Sequence, residues 1–167
     1  MSTTQAPAPT IKNPGTKPAT PRKLFVNIPV GDVQRSITFF EALGFRFNPQ
    51  FTDETAACMT LSDTIHVMLL THEKFSQFTP RQIADSTAAS EVLLCLSENS
   101  RESVDSTLER AVAAGGTADP SAKQDYGVMY GRSVADPDGH IWEIMWMDPE
   151  AAERGADAVA EAAASAL

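Results

Sequence analysis

The chain has 167 residues, 43% of them hydrophobic, which is enough for one compact unit or for two small halves that share a core. Its formal net charge of −9 argues against nucleic acid and anionic membranes as partners, because both require an excess of lysine and arginine. No apolar run approaches the roughly 18 residues that span a bilayer, and no signal-peptide pattern is present, so we expect a cytoplasmic protein. The surroundings of Cys58 and Cys95 predict buried free thiols in a reducing compartment.

Residues 1–22 are rich in proline, alanine and threonine and predict a disordered arm, since they carry almost no large apolar side chains. A first module, residues 23–71, then opens with an apolar strand from Leu24 to Val30. Asp32 is the expected helix N-cap, and apolar residues recur at helical spacing until Gly44 ends the helix. Turn signals divide the rest of the module into three predicted strands, Phe45 to Thr52, Ala56 to Leu61 and Ile65 to Leu70.

A polar linker, residues 72–89, follows and predicts a short helical turn around Phe75 and Phe78. The second module, residues 90–148, repeats the same order of elements. It has a strand from Glu91 to Leu96, a helix capped by Ser100 and ended by Gly115 and Gly116, and strands near 117–122, 127–135 and 141–147. Neither module can close a core alone, so we expect the two to pair into one α+β domain, residues 23–148.

The tail, residues 149–167, is rich in alanine and has good helix propensity. Val159 is nearly its only large apolar side chain before Leu167. The composition leaves open whether the tail is disordered, a frayed helix or a helix docked on a partner surface.

Several sequence features of the two modules are shared with one known family. They are the first-strand run Phe25 to Asp32, the helix residues Ser36, Phe39 and Phe40, the stop at Leu43 to Phe45, and the turn Asp136 to Gly139 before a strand that carries Glu143. Residues 23–148 thereby resemble the vicinal oxygen chelate superfamily. That family includes glyoxalase I, extradiol ring-cleaving dioxygenases, fosfomycin-modifying enzymes and bleomycin-binding proteins. The resemblance implies two βαβββ modules that form a cupped, partly open mixed sheet with helices outside, and it implies a homodimer.

The resemblance also implies where a metal ion would bind. In metal-using members, each module offers one ligand from its first strand and one from its last, and the matching positions here are Phe25, Met68, Glu91 and Glu143. The second module therefore keeps two oxygen ligands, whereas the first carries apolar side chains. Strand alternation predicts that Glu91 and Glu143 both face the cup.

Two carboxylates are few ligands for a divalent metal ion, because nickel, iron and zinc sites usually add imidazole or thiolate. A displaced site would add Asn27 and His66, which share strand faces with Phe25 and Met68. Without a metal ion, two facing acids would share a proton and act as general acid and base, or bind a cationic ligand directly. The expected ligand contacts are Phe25, Asn27, Met68 and Tyr130.

Two classes of function remain open from the sequence. One is an enzyme of the lyase or dioxygenase type that uses Glu91 and Glu143 as catalytic groups, with a divalent metal ion as cofactor. The other is a metal-free protein of the bleomycin-resistance type that binds or sequesters a small molecule. Both classes place a small-molecule ligand in the cup between the two modules.

Overall fold

The computed structural model describes residues 20–165, so most of the predicted N-terminal arm lies outside the described residues. The first module contains β1 (Leu24–Val30), α1 (Val33–Ala42), β2 (Arg46–Asn48), β3 (Ala56–Thr60) and β4 (Ile65–Thr71). The predicted first strand and its helix are confirmed. The Asp32 side chain caps α1 by accepting a hydrogen bond from the Arg35 N–H at 2.9 Å, and Gly44 adopts the positive φ of 97° that ends the helix.

β2 is shorter than the predicted strand from Phe45 to Thr52. Pro49 begins a 3₁₀ turn over Pro49–Phe51, and the Asn48 side chain caps this turn by accepting a hydrogen bond from the Gln50 N–H at 3.0 Å. Proline has no N–H to donate to a neighbouring strand, so the ladder stops at Asn48.

The linker contains α2 (His72–Ser76), which includes Phe75 of the predicted helical turn, and residues 77–93 form neither helix nor strand. We call residues 77–93 the connection. The second module contains β5 (Leu94–Ser97), α3 (Arg101–Ala113), β6 (Thr117–Ala118), β7 (Gln124–Asp125), β8 (Met129–Ala135) and β9 (Ile141–Met147). The Ser100 side chain caps α3 as predicted, through the Ser103 N–H at 3.1 Å.

Three strands of the second module differ from the prediction: β5 and β6 are shorter than expected, and β7 was not expected. β5 begins at Leu94 instead of Glu91. Its parallel ladder with β9 starts at the pair Leu94 and Trp142, and in this register Val92 and Glu91 would lie opposite His140 and Gly139 of the turn before β9. β6 covers only two residues, because Asp119 takes a positive φ of 48° and Pro120 follows it.

The strands form two open mixed sheets with the same topology. The first has the order β1-β4-β3-β2, and the second has the order β5-β9-β8-β6, with β7 also paired to β8. In each sheet the first strand of the module runs parallel to its last strand, and the other pairs are antiparallel. The α+β class and the repeated βαβββ order are therefore confirmed, with β7 as an additional strand in the second module.

One hydrophobic core includes side chains from α1, from α3 and from both sheets. Phe40 of α1 meets Trp142 of β9 edge-on, with ring centroids 5.0 Å apart, and Val104 and Leu108 of α3 are buried in the same cluster. Alternate residues of the central strands fill this core, among them Ile28 and Val30, Val67 and Leu69, and Trp142 and Ile144. The residues between them face the opposite side of each sheet, which we call the cup face.

The tail forms two helices in the described residues, α4 (Pro149–Arg154) and α5 (Ala156–Ser165). Asp148 caps α4 through the N–H groups of Glu150 and Ala151, and Ala151 and Ala158 are buried. Within residues 20–165, no helix has the length and apolar character that crossing a bilayer requires.

Candidate ligand site

The turn before β9 joins the second module to the start of α1. Asp138 Oδ1 accepts hydrogen bonds from the Gly31 N–H at 2.8 Å and from Arg35 Nη2 at 2.6 Å. Its Oδ2 accepts a hydrogen bond from Ser36 Oγ at 3.0 Å. Because all three donors lie at or near the first turn of α1, this carboxylate bridges the two modules at the helix N-terminus, where the helix dipole favours an anion.

Two neighbours of Asp138 stiffen the same turn. Asp136 is 5% exposed, and its Oδ2 accepts a hydrogen bond from Trp142 Nε1 at 3.0 Å while its Oδ1 accepts from the N–H groups of Asp138 and His140. Burial raises the pKa of Asp136. His140 Nε2 donates to the Pro29 carbonyl oxygen at 2.7 Å, which is a second bridge between the modules.

A cavity of about 440 Å³ lies between β1, the connection and the turn before β9, and we call it the inter-module cavity. Its polar and charged walls come from Asn27, Thr79, Arg81, Gln82, Ser86, Ser90, Glu91 and His140. Apolar surface comes from Pro29, Phe75, Ile83, Val92 and Ile141 among others. The mixture suits an organic ligand that is mainly apolar and is oriented by a few polar groups.

The connection covers this cavity and is fixed at its middle. Ser86 Oγ donates a hydrogen bond to the Asp138 carbonyl oxygen at 2.5 Å. Gly139 has a φ of 92°, and a Cβ at this position would lie 2.9 Å from Thr87 Cγ2 and 3.1 Å from Thr87 N. Glycine is therefore required both for the turn and for close packing of the connection on it.

Two of the predicted site residues, Asn27 and Glu91, line the inter-module cavity. Glu143 instead lines a second cavity of about 220 Å³ on the cup face of the second sheet, which we call the sheet cavity. Its other walls include Cys95, Met129, Ser133 and Met145. The structure therefore does not bring Glu91 and Glu143, which were expected to converge, into one cavity.

The strand register explains this separation. Cys95 of β5 lies beside Glu143 of β9, and Glu91 precedes Cys95 by four residues, which is about 13 Å in an extended chain. Glu91 also lies before β5, so strand alternation does not set the direction of its side chain.

The register also corrects the equivalence between the two modules. Phe25 lies seven residues before the N-cap Asp32, and the residue seven before the N-cap Ser100 is Leu93. The strand pairs give the same answer, because Asn27 lies beside Met68 as Cys95 lies beside Glu143. The structural counterpart of Phe25 is therefore Leu93 and not Glu91.

These four equivalent positions do not fit the divalent metal site of the family. Phe25 and Leu93 have no donor atom, Met68 offers only a soft thioether, and Glu143 alone offers hard oxygen donors. Among residues 20–165, no group of three or more histidine, cysteine, aspartate or glutamate side chains is arranged to hold a metal ion. We therefore derive no chemistry through such an ion.

His66, expected in a displaced metal site, lies on β4 against the ring of Phe25. The two rings are stacked, with centroids 4.9 Å apart and planes 17° apart. His66 is 9% exposed, and neither ring nitrogen has a hydrogen-bond partner in the described part of the chain. Phe25, half of which is exposed, His66 and Met68 line neither the inter-module cavity nor the sheet cavity.

Tyr130, expected as a ligand contact if it faced inward, faces α3 instead. Its hydroxyl donates to Asp105 Oδ1 at 2.7 Å, and its ring contacts the Arg101 guanidinium at 4.3 Å and the Lys123 ammonium at 4.8 Å. Alternation along β8 puts its neighbours Met129 and Gly131 on the cup face, where both line the sheet cavity.

The two cysteines are free, as expected, but only Cys58 is buried. Cys95 is exposed on the cup face because β5 is an edge strand of its sheet. Desolvation by the surrounding sheet and the charge of Glu143 raise the pKa of Cys95. A thiol with a raised pKa is mostly protonated near neutral pH, which argues against a nucleophilic role.

Sequence reasoning missed most of the residues that build the inter-module cavity. Arg81, Gln82 and Ile83 belong to a polar connection with no periodic pattern, and His140 lies in a turn, where many residue types are found. The signal available in the sequence was Gly139 at the end of the turn Asp136 to Gly139, because glycine is the usual residue where the backbone must take a positive φ or pack closely.

Comparison with known proteins agrees with this fold. A family model described as bleomycin resistance protein-like, N-terminal, matches residues 22–62, which run from before β1 to just past β3. A glyoxalase-related enzyme from Fulvimarina pelagi is 25% identical over 73% of this chain and 85% of its own, with a TM-score of 0.61. A hypothetical protein from S. aureus is 25% identical over 77% of this chain and 95% of its own, with a TM-score of 0.64.

A third solved structure shows the fold at lower identity. It is a glyoxalase/bleomycin resistance protein/dioxygenase family enzyme from Burkholderia phytofirmans, 20% identical over 74% of this chain and 96% of its own, with a TM-score of 0.60. A search of curated proteins gave no match. The paired βαβββ modules, the matching family model and these neighbours support the resemblance of the chain to the vicinal oxygen chelate superfamily of glyoxalase/bleomycin resistance protein/dioxygenase-like proteins.

Proposed function

We propose that the protein binds a small organic molecule in the inter-module cavity without a metal ion. The observation that carries this proposal is the donor set at the four equivalent positions of the two modules. Phe25, Met68 and Leu93 cannot hold a hard divalent ion, and Glu143 by itself is too few ligands.

The size and walls of the inter-module cavity support binding. Its volume of about 440 Å³ falls within the range of roughly 300–1,000 Å³ that is typical of small-molecule sites. Asn27 and Glu91, two of the residues first expected at the site, contribute an amide and a carboxylate to it. The contacts of Ser86 and Gly139 hold the cavity roof in place, which lowers the entropic cost of binding.

The placement of the two acids favours binding over paired acid–base catalysis. Two carboxylates must lie close together to share a proton. Glu91 and Glu143 line different cavities, which argues against a shared proton. The sheet cavity around Glu143 offers a carboxylate beside thioether and thiol groups, without a second titratable base among the residues that line it.

A matched pair of variants tests the location of the site. Ala88 and Ala89 are exposed neighbours in one turn of the connection, and both N–H groups bond to the Asp85 carbonyl oxygen, but only Ala89 lines the inter-module cavity. The fluorescent probe 8-anilinonaphthalene-1-sulfonate is titrated into each protein. We expect Ala89→Phe to weaken its binding by on the order of tenfold and Ala88→Phe to leave it within about twofold. Equal effects of the two variants would remove the cavity from the proposal.

Metal content tests the second half of the proposal. Elemental analysis of the purified protein should give well under one divalent ion per chain, and probe binding should be unchanged by EDTA. A stoichiometric ion that is lost in Glu143→Gln, together with loss of probe binding in EDTA, would instead support the metal-dependent enzyme.

The family resemblance also leads us to propose a second copy of the chain as its partner in solution. Light scattering coupled to size-exclusion chromatography measures this directly, with a monomer mass of 18.0 kDa as the reference. A mass near twice that value is expected, and a single monomer peak at micromolar concentration would contradict the homodimer.

A further inference from the structure

The inter-module cavity has two opposite charges that do not neutralise each other. Arg81 and Glu91 both line it, and no ion pair joins their side chains. Within residues 20–165, neither side chain has a hydrogen bond or an ion pair with another residue. By contrast, four other arginines each pair with a carboxylate, namely Arg35, Arg101, Arg132 and Arg154.

In the part of the chain that the structure describes, the rest of the cavity wall contributes no other lysine, arginine or carboxylate side chain. Asn27 and Gln82 are neutral amides, and the imidazole of His140 is held by its bond to the Pro29 carbonyl oxygen. The lining therefore has one guanidinium and one carboxylate around an apolar centre. A ligand with a single charge would pair with only one of Arg81 and Glu91. An anionic ligand would also be repelled by the net charge of −9 of the whole chain.

The connection explains how the two charges are kept in place. Arg81 lies five residues before Ser86 and Glu91 lies five residues after it. Ser86 is bonded to the Asp138 carbonyl oxygen, and Thr87 packs on Gly139. The connection is therefore fixed at Ser86, and segments of five residues extend from it on both sides. Each segment places one charged side chain at the wall of the same cavity.

We infer that this cavity recognises a zwitterion, a small molecule with an apolar body, a carboxylate for Arg81 and an ammonium group for Glu91. Free amino acids with large apolar side chains and short apolar peptides have this chemistry. The inference rests on the proposed function, since it names the ligand class of the same site. Arginine suits the carboxylate because its planar guanidinium forms two parallel hydrogen bonds with both oxygens.

Four probes that share one apolar side chain isolate each charge. They are L-phenylalanine, its amide, its N-acetyl derivative and N-acetyl-L-phenylalaninamide, which are respectively a zwitterion, a cation, an anion and a neutral molecule. Each is titrated against the protein by calorimetry or by displacement of 8-anilinonaphthalene-1-sulfonate. We expect the zwitterion to bind at least about tenfold more tightly than each of the other three.

Two variants assign the charges to their side chains. In Arg81→Gln, L-phenylalanine and its amide should bind equally, because the partner of the carboxylate is gone. In Glu91→Gln, L-phenylalanine and its N-acetyl derivative should bind equally, because the partner of the ammonium group is gone. Arg46→Gln is the control, since Arg46 is exposed on β2 and does not line the cavity, and it should keep the full preference.

The outcomes separate this inference from the proposed function. One outcome is that the fluorescent probe still distinguishes Ala89→Phe from Ala88→Phe while the four phenylalanine compounds bind equally well. In that case the cavity does bind ligands, but the inferred preference for a zwitterion is wrong. A zwitterion preference that survives unchanged in both Arg81→Gln and Glu91→Gln also overturns the inference. If Ala89→Phe has no effect on any compound, the proposed function itself fails.

Discussion

The carboxylate of Asp138 and the guanidinium of Arg35 lie 2.6 Å apart although 103 residues separate them in the chain. The same carboxylate also accepts hydrogen bonds from Gly31 N–H and Ser36 Oγ. Asp138, in the turn before β9, thus holds the start of α1 in the other module through hydrogen bonds. These contacts lie beside the wall of the inter-module cavity.

Replacing Asp138 by alanine should therefore destabilise the whole domain. The side chain of Asp138 is only 10% exposed, and its loss leaves the Gly31 N–H and the Ser36 hydroxyl without their acceptor. We expect a loss of about 2–4 kcal/mol in the free energy of unfolding, measured by urea denaturation.

Arg35→Ala is the comparison for this variant. The Arg35 side chain is 50% exposed, so solvent screens its ion pair and we expect a loss of only about 0.2–1 kcal/mol. If Asp138→Ala cost no more than Arg35→Ala, the backbone and hydroxyl contacts of Asp138 would have no stabilising role.

Asp136 predicts a stability change with pH that most aspartates would not show. Burial raises its pKa above the ordinary value of 3.8, so folding favours the protonated form. Its contribution is fully present below pH 3.8 and is lost as pH rises through the raised pKa. Asp136→Asn cannot titrate, so the difference in unfolding free energy between wild type and variant should move in favour of the variant as pH rises from 3.8.

The slope of that difference is the quantity to measure, because asparagine also changes the bond to Trp142 and lowers stability at every pH. Urea denaturation of both proteins at half-unit steps from pH 3.5 to 7 gives it, with a limiting slope of about 1.4 kcal/mol per pH unit. A difference that stays constant over this range, or moves in favour of the wild type, would contradict a raised pKa.

Arg132 predicts the opposite pH dependence. Its guanidinium contacts Asp105 at 2.8 Å and also pairs with Asp119. The Arg132 hydrogen bond lowers the pKa of Asp119, and the Tyr130 hydroxyl followed by Arg132 lowers that of Asp105. The stabilisation is therefore present above pH 3.8 and is lost as pH falls through the lowered pKa values.

Arg132→Gln should cost about 1–2 kcal/mol at pH 7, a figure reduced for the 44% exposure of the Asp105 side chain. The cost should shrink as pH falls below 3.8. Arg154→Gln is the control, since its pair with Glu161 is 61% and 67% exposed, and it should change stability by less than about 0.5 kcal/mol. Denaturant titration at pH 7 and pH 3 distinguishes the two, and an equal cost for Arg132→Gln at both pH values would refute the ion-pair account.

His66 is expected to be replaceable by an apolar side chain. Both of its ring nitrogens lack a partner within residues 20–165 while the ring is buried under Phe25. Removing such a group should raise the free energy of unfolding by about 1 kcal/mol in His66→Leu. His72→Leu, at an exposed position, should have little effect. A loss of stability at His66 would show that the imidazole has a partner, such as an ordered water or a ligand.

Local rules were enough to predict much of the fold. The bounds of β1 and β9 and the caps at Asp32 and Ser100 follow from alternation and from side chains that bond within three residues. The predicted strands were too long where a proline or a residue with positive φ interrupts the ladder, as at Pro49 and Asp119. Strand length depends on pairing partners outside the segment, which local rules do not include.

The site was harder to predict than the fold. Alternation tells which residues share a strand face, but it does not tell which face is the cup, so Tyr130 was expected on the wrong side of β8. The convergence of Glu91 with Glu143 failed by a shift of two residues, because Leu93 occupies the position that Glu91 was expected to fill. The inter-module cavity depends on contacts such as that of Ser86 with Asp138, 52 residues apart, which no local pattern contains.

The bridging role of Asp138 has a consequence for any attempt to divide the protein. Because a side chain from the far end of the chain bonds Arg35 and Ser36 of α1, and because α1 shares its core with Trp142, neither half is self-sufficient. A break between Gln77 and Phe78 should give two peptides that are each largely unstructured and that regain helical circular dichroism only after mixing. Gene duplication could therefore have produced this architecture only if the two early copies already recognised each other.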